Sequence, residues 1–297
     1  MADLQQRATE TGRGWRFIEL AALGVNGPRS YAAALAWVVL CPLAMAVVLG
    51  AAAGISGVIK QRPQDVLAPT TAILEQYGPI VVAGAALLYA VARIHRRPWQ
   101  SLIAPDLRLD GIRFAIGFLV EVAILGGQLA LVHALTGWPW MFSLPEPLGV
   151  FLLALLLIPL QAASEELLFR GYLTQTLGRV LRSRVAIALV VGAAFGGLHL
   201  NAYGPLTVPY FLVLSLIFSL VSLRDERLEL VIGGHAAMNL FALVVASAML
   251  GPESPTQGMI GGPQSAMPFN AAAIAVLVVN GALFYGLTRL LVRLVAR

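Results

Sequence analysis

The chain has 297 residues, of which 59% are hydrophobic and 12% carry a charged side chain. Soluble domains carry about twice that share of charged residues, so the composition excludes one or two ordinary soluble domains. The formal net charge is +5, but the arginines stand in short loops between apolar runs. This pattern reflects membrane sidedness rather than a nucleic-acid groove. We therefore expect a cell-membrane protein surrounded by the lipid bilayer, with no nucleic-acid partner.

Eight apolar runs predict membrane-spanning helices, because about 20 residues cross a hydrocarbon core of about 30 Å. Lipid leaves helices as the structure that satisfies the backbone of each run. The predicted fold class is therefore all-α, a polytopic bundle of about eight spans. In chain order the spans are Tyr31–Val58, Tyr77–Ile94, Ile112–Leu135, Leu148–Leu168, Val185–Leu200, Leu206–Leu223, Leu228–Leu250 and Ala271–Leu291.

The distribution of basic residues predicts the topology. With the N-terminus in the cytosol and the spans alternating, the loops assigned to the outside hold only Lys60 and Arg62 as basic residues. Nearly all arginines then fall on the cytosolic side, as the positive-inside rule requires. We expect both termini in the cytosol, an N-terminal cytosolic segment over 1–30, and a single membrane domain over 31–297 with its catalytic core at about 145–250.

Two loops and three further polar residues carry weaker predictions. Residues 95–111 mix Trp, Arg and aliphatic side chains, which indicates an interfacial segment on the cytosolic face. Residues 251–268 are rich in Gly, Pro and Ser and predict an irregular external loop. We expect Glu121 to face the bundle interior beside a polar neighbour, His133 to lie near the outer boundary, and Asn280 to hydrogen bond between helices.

The fourth span contains two adjacent carboxylates, Glu165 and Glu166, followed by Arg170. A carboxylate at mid-helix costs about 2.5–3.5 kcal/mol on insertion scales, so its presence in lipid is informative. Glu166 and Arg170 stand four residues apart and can pair on one helix face. Glu165 points about 100° away and has no local partner, which suits a general base. The alternative is a helix that ends in an ordinary interfacial Glu–Arg pair.

The fifth and seventh spans add two imidazoles and an amide. Gly192 and Gly196 form a small-xxx-small face that lets helices approach closely, and His199 follows them. His235 and Asn239 stand four residues apart and point into one patch. An interfacial position for the first histidine and structural hydrogen bonding for the second pair are the alternatives. Together with Glu165, these residues reach depths accessible from a cytosol-facing cavity that could hold a water, a base and polarising donors.

Three motifs carry a resemblance to a known family. EELLFRG (165–171), FGGLH (195–199) and HAAMN (235–239) resemble, in order and spacing, the motifs EExxxR, FxxxH and HxxxN/B of the CPBP family of intramembrane proteases. That family includes the type II CaaX prenyl endopeptidases and bacteriocin-immunity-like (Abi) proteins. The resemblance covers about residues 145–250, and the first half of the chain matches only loosely, through RRPWQSLIAPD.

The resemblance implies a role for each motif residue. Glu165 would be the base that activates water, and His199 would help to hold that water. His235 and Asn239 would polarise the scissile carbonyl group and stabilise the oxyanion. The implied activity is hydrolysis of a peptide bond in a membrane-anchored protein or peptide, either prenylated or carrying a C-terminal sorting helix.

The supporting residues and the cofactor follow from the same resemblance. Glu166 and Arg170 would support the site. The family has been described both as metalloproteases and as glutamate-type proteases. Glu165, His199 and His235 could in principle bind zinc with one open position, but no HExxH-type spacing appears. We therefore favour a metal-free mechanism with no cofactor.

Two other function classes stay open. A catalytically silent immunity or scaffold protein could keep the fold, and intact motif residues cannot prove turnover. A proton-coupled transporter could use Glu and His side chains as proton relays. The sequence shows no internal repeat of the kind found in transporters, which counts against that class.

Overall fold

The computed structural model describes residues 14–59, 67–137, 148–200, 205–250 and 270–295, and every regular element in these ranges is helical. The helices are α1 (Trp15–Ile18), α2 (Pro28–Ile59), α3 (Leu67–Tyr89), α4 (Gly111–Thr136), α5 (Leu148–Glu166), α6 (Thr174–Leu177), α7 (Arg184–Leu198), α8 (Val208–Asp225), α9 (Glu229–Leu250) and α10 (Ala271–Val295). Short 3₁₀ segments cover Glu19–Leu23, Trp99–Leu102 and Pro205–Thr207, and π-helical segments cover Ala90–Ile94 and Leu167–Leu173.

Within the described ranges, six helical segments are long and apolar enough to cross a membrane by length and composition. Two shorter apolar helices accompany them, Arg184–Leu198 and Glu229–Leu243. The outward faces of the long helices expose leucine and valine, as lipid-facing surfaces do. The prediction of an all-α polytopic bundle is confirmed. The count of eight spans and the cytosolic position of the termini stay predictions, and residues 1–13, Lys60, Arg62 and the loop over 251–268 lie outside the described residues.

The central helix of the bundle is α9, which packs between α4 and α5. On one side α5 packs against α3, and α3 against α2. On the other side α4 packs against α10, α10 against α8, and α8 against α7. The π-helical segment that follows α5 contacts both α7 and α8, which closes the arrangement around the residues of the three motifs.

Glycines allow α4 and α9 to approach closely. A Cβ atom on Gly117 would lie 2.1 Å from the carbonyl oxygen of Leu230, and one on Gly233 would lie 2.2 Å from that of Phe114. No other residue type fits either position without moving a backbone, so this contact fixes the height of α9. The same device joins α7 to α8 at Gly192 and Gly196, which confirms the predicted small-residue face.

The segment before α2 is part of the core. Phe17 and Ile18 are fully buried, and the latter packs against Gly178. The backbone N–H of Gly14 donates to Glu226 at 2.8 Å. A segment predicted only as a cytosolic extension therefore closes one end of the bundle.

The predicted interfacial segment over 95–111 is also tied into the bundle. His95 donates from Nδ1 to the carbonyl oxygen of Val25 at 2.7 Å, and its Nε2 meets the hydroxyl of Tyr172 at 2.9 Å. Arg97 donates to Gln175 at 2.7 Å. Burial lowers the pKa of His95 and lowers that of Arg97 to about 10, because the charged form of each loses water.

A charged cluster joins the same segment to the start of α9. Arg227 pairs with Glu229 and with Asp106, each at 2.7 Å. Burial opposes the charge of Arg227, but hydrogen bonds with both carboxylates outweigh it and raise its pKa.

Farther along the bundle, Asn280 donates to Gln128 of α4 at 3.3 Å, which confirms the predicted interhelical hydrogen bond. The position of His133 at the outer boundary stays a prediction.

We expect Gly117→Ala to destabilise the bundle, because the new methyl group meets the backbone of α9. Overpacking of this kind costs about 1–3 kcal/mol. Gly127→Ala is the matched control on the same helix, since a Cβ atom there meets nothing within 4 Å. Thermal unfolding of detergent-solubilised protein, followed by circular dichroism, measures the difference. Equal melting temperatures for the two variants would contradict the close α4–α9 contact.

Candidate active site

The first motif lies where α5 passes into a π-helical segment. The wider turn covers Leu167–Leu173, and the helical path continues to Leu177. The fourth span is therefore longer than predicted, and Glu165 and Glu166 lie inside it rather than at its end. Single π-helical turns occur frequently at functional sites because they change which side chains face inward.

Glu166 and Arg170 form a buried ion pair at 2.9 Å, and both side chains are 0% exposed. This confirms the pairing predicted from their spacing. The guanidinium carbon of Arg170 lies 4.5 Å from the ring centre of Phe195 and 5.5 Å from that of Phe218. Within the described residues Nε and Nη2 of this arginine have no hydrogen-bond partner. The two ring faces supply cation–π attraction in their place.

His235 lies between the two glutamates. Its Nδ1 is 2.8 Å from Oε1 of Glu166, and its Nε2 is 3.6 Å from Oε2 of Glu165. Because the ion-paired carboxylate of Glu166 accepts hydrogen bonds, Nδ1 carries a proton and donates it there. The longer separation exceeds a direct hydrogen bond, so a water or a substrate oxygen is needed to bridge Nε2 and Glu165.

The two central side chains differ in accessibility. The side chain of Glu165 is 14% exposed, whereas that of His235 is 4% exposed. Glu166, the neighbouring carboxylate, is fully enclosed. Of the two adjacent glutamates, the first is therefore the one that an incoming molecule can reach.

His199 follows the last residue of α7. Its Nδ1 donates to the carbonyl oxygen of Phe195 at 2.8 Å, and its ring stacks on Phe211 with 3.8 Å between centroids. Phe195 also contacts the ring of His235, with 6.3 Å between centroids. His199 lies within electrostatic reach of Glu165 and His235. One phenylalanine thus forms a wall shared by both imidazoles.

Asn239 is held by a residue to which the sequence assigned no role. Its side-chain nitrogen donates to the amide oxygen of Gln161 at 2.9 Å. Gln161 precedes Glu165 by four residues on α5, so both point to α9. A glutamine inside an apolar span is costly, and that cost is the signal that could have identified it. An amide nitrogen has two N–H donors, so Asn239 keeps a second one.

A further carboxylate reaches this region from α4. Glu121 is 7% exposed and lies within electrostatic reach of His235 and Tyr210. The prediction that it faces the bundle interior is confirmed. The close α4–α9 contact at Gly233 brings it to the depth of the site.

The arrangement does not present a ready metal site. In the described part of the chain no group of three or more His, Cys, Asp or Glu side chains is placed to hold a metal ion. Both ring nitrogens of His235 face carboxylates, and His199 donates from Nδ1 to a backbone carbonyl. Zinc bound by Glu165, His199 and His235 would need a different arrangement, so we derive no step through a metal.

We expect Arg170→Gln to destabilise the protein by about 3–5 kcal/mol, because it leaves the buried Glu166 charge without its partner. The double variant Glu166→Gln/Arg170→Gln removes both charges and should be more stable than the single variant. Arg179→Gln, an exposed arginine six residues beyond the π-helical segment, is the control and should change little. Denaturation in detergent measures all three. A single variant as stable as the control would contradict a buried pair.

Comparison with known proteins shows that the part of the chain that carries this site is similar to a known family. Residues 147–241, which contain all three motifs, match the family model described as "Type II CAAX prenyl endopeptidase Rce1-like". The uncharacterized protein YyaK of Bacillus subtilis (strain 168) is 28% identical over 160 residues, which are 51% of this chain and 54% of that protein. The chain thus spans about half the length of this curated relative. No solved structure matches significantly.

The family match covers α5, the π-helical segment, α7, α8 and the first part of α9, which together build the site. It confirms the resemblance that the three motifs predicted. The chain is a multi-pass integral membrane protein whose residues 147–241 are similar to the Rce1-like type II CAAX prenyl endopeptidases, a similarity that fits the CPBP family.

Proposed function

We propose that this protein is an intramembrane endopeptidase that hydrolyses a peptide bond of a membrane-anchored protein or peptide. The family is a peptidase family. The observation that carries the proposal is the imidazole of His235 held between two carboxylates, 2.8 Å from Glu166 and 3.6 Å from Glu165. One carboxylate is buried in an ion pair, and the other is left accessible for chemistry.

Glu165 acts as the general base. Its carboxylate removes a proton from a water molecule, which His199 helps to hold, and the water oxygen attacks the carbonyl carbon of the scissile bond. A positioned base of this kind contributes about 10²–10⁴ to the rate. The proton then passes to the nitrogen of the leaving amine as the C–N bond breaks, which regenerates the carboxylate.

Asn239 and His235 stabilise the charge that develops on the carbonyl oxygen. The second N–H of Asn239 is one donor, since the first is engaged by Gln161. The imidazolium form of His235 supplies the other donor, because its Nδ1–H is engaged by Glu166 and its second proton lies on Nε2. Donors fixed before the substrate arrives stabilise an oxyanion most effectively, because they need no reorganisation during the reaction.

The position of the site among apolar helices supports a membrane-anchored substrate. The motif helices are apolar and their outer faces are exposed for lipid. A substrate anchored in the same bilayer can approach between helices without crossing water. Prenylated proteins and C-terminal sorting helices both meet this requirement, and a CAAX-type substrate agrees with the family.

We expect Glu165→Gln to lower peptide hydrolysis by about 10²–10⁴, since an amide cannot accept the proton. Insertion and folding should persist, because the buried pair of Glu166 and Arg170 stays intact. Glu75→Gln, which changes an exposed glutamate of α3 in the same way, is the control and should keep full activity. Purified enzyme in detergent or nanodiscs, with membrane peptides as substrates, provides the assay. Equal turnover by both variants would remove Glu165 from the mechanism, and an immunity or scaffold protein would show no turnover at all.

The metal-free mechanism makes a separate prediction. Wild-type protein should keep its hydrolytic rate after incubation with a strong chelator and removal of the chelate, and added zinc should not increase that rate. The measurement is the initial rate before chelation, after chelation and after zinc is restored. Loss of activity on chelation with recovery on adding zinc would overturn the metal-free proposal while leaving the peptidase proposal intact.

A further inference from the structure

A cavity of about 210 Å³ lies between the ends of α8 and α10, away from the catalytic residues. Three arginines line it: Arg224 from α8, and Arg289 and Arg293 from α10. Tyr285 and Thr288 of α10 complete its wall on one side. The proposed peptidase mechanism uses none of these residues.

The three arginines are not matched by acidic partners. Within the described residues, none of them has a carboxylate within ion-pair distance. Arg224 lies over the ring of Tyr285, 5.3 Å from its centre, which orients the guanidinium group without neutralising it. Arg289 and Arg293 stand four residues apart, where like charges on one helix face destabilise each other. An anion between the three groups would relieve that repulsion.

The carboxylate in the cavity wall does not supply this anion. Asp225 lines the cavity, but its Oδ1 pairs with Arg113 of α4. The hydroxyl of Thr288 donates to the carbonyl oxygen of Phe284 at 2.6 Å. The hydroxyl of Thr288 and Oδ1 of Asp225 are thus engaged elsewhere, whereas Oδ2 of Asp225 is buried and has no hydrogen-bond partner in the described residues. The guanidinium groups remain for a ligand.

The surroundings of the cavity favour a lipid over a soluble anion. The cavity lies at the C-terminal ends of two membrane helices, at the side predicted to face the cytosol. Leu220 of α8 and Leu287 of α10, each next in sequence to a residue that lines the cavity, have exposed side chains. Basic pockets between membrane helices at the cytosolic side bind the head groups of anionic lipids, and acyl chains can follow exposed apolar side chains.

We propose that this arginine cavity, formed by Arg224, Arg289 and Arg293 with Tyr285, binds the phosphate-bearing head group of an anionic phospholipid. The phosphate accepts hydrogen bonds from the guanidinium groups, and the acyl chains lie along the exposed leucines of α8 and α10. The lipid would join the ends of these helices, of which α8 also carries Phe211, which stacks on His199, and Phe218, whose ring lies near Arg170.

Lipid titration followed by native mass spectrometry tests the proposal on the full chain in detergent. The probes are phosphatidylglycerol, phosphatidylcholine and inorganic phosphate, each at matched concentrations. The site variant is Arg289→Gln/Arg293→Gln. The control is Arg179→Gln/Arg182→Gln, which removes the same charge from exposed arginines of another loop. Circular dichroism and gel filtration check that each variant is folded, and Arg224→Gln replaces the double variant if that one fails to fold.

We expect the wild type and the control to bind phosphatidylglycerol more tightly than phosphatidylcholine. The site variant should lose about fivefold in affinity for phosphatidylglycerol per arginine removed, or about 25-fold in total. Equal losses in the site and control variants would show general charge attraction and overturn the proposal. Equal affinity for the two lipids would overturn it as well, and binding of inorganic phosphate as tight as that of phosphatidylglycerol would show a phosphate site rather than a lipid site.

Discussion

The buried ion pair of Glu166 and Arg170 is the constraint on which the rest of the site depends. Two full charges stand in the middle of an apolar bundle with no exposure, and either one alone would be strongly destabilising there. Their stabilisation needs His235 from α9 and ring faces from α7 and α8. The helices must therefore converge at this point, and the geometry of the proposed active site follows from that requirement.

Adjacent positions on α5 give the two glutamates different roles. The carboxylate of Glu166 binds Arg170 and His235, and these contacts hold His235 in one orientation. Glu165 points in a different direction from the same helix. Its carboxylate stays partly accessible and lies 3.6 Å from Nε2, the other ring nitrogen of His235. Under the proposed mechanism the pair separates two tasks that one carboxylate could not perform, since a group that anchors a buried arginine cannot also exchange protons with water.

The sequence predicted the helices, the Glu166–Arg170 pair and the inward face of Glu121, because spacing and the cost of charge in lipid are local properties. It did not predict that the span of Glu165 continues to Leu177, since Glu165, Glu166 and Arg170 interrupt the apolar run by which a span is identified. Burial of Phe17 was also missed, because its segment is too short and mixed to signal a core. The role of Gln161 was not predicted, because its hydrogen-bond partner, Asn239, lies 78 residues away in the sequence. A local sequence pattern does not contain that contact.

The position of His235 is fixed along the whole first part of α9. The helix begins at Glu229, which Arg227 holds, and Gly233 then packs against the backbone of α4. Six residues from its start, about 9 Å along the axis, the imidazole meets Glu166. These anchors and the contact with Glu166 leave this ring little freedom to move, as its proposed role as an oxyanion donor requires. His199, by contrast, lies just beyond the end of α7 and is held by one backbone carbonyl and by ring contacts. If the site moves when a substrate binds, we therefore expect His199 and the end of α7 to move while α9 stays in place.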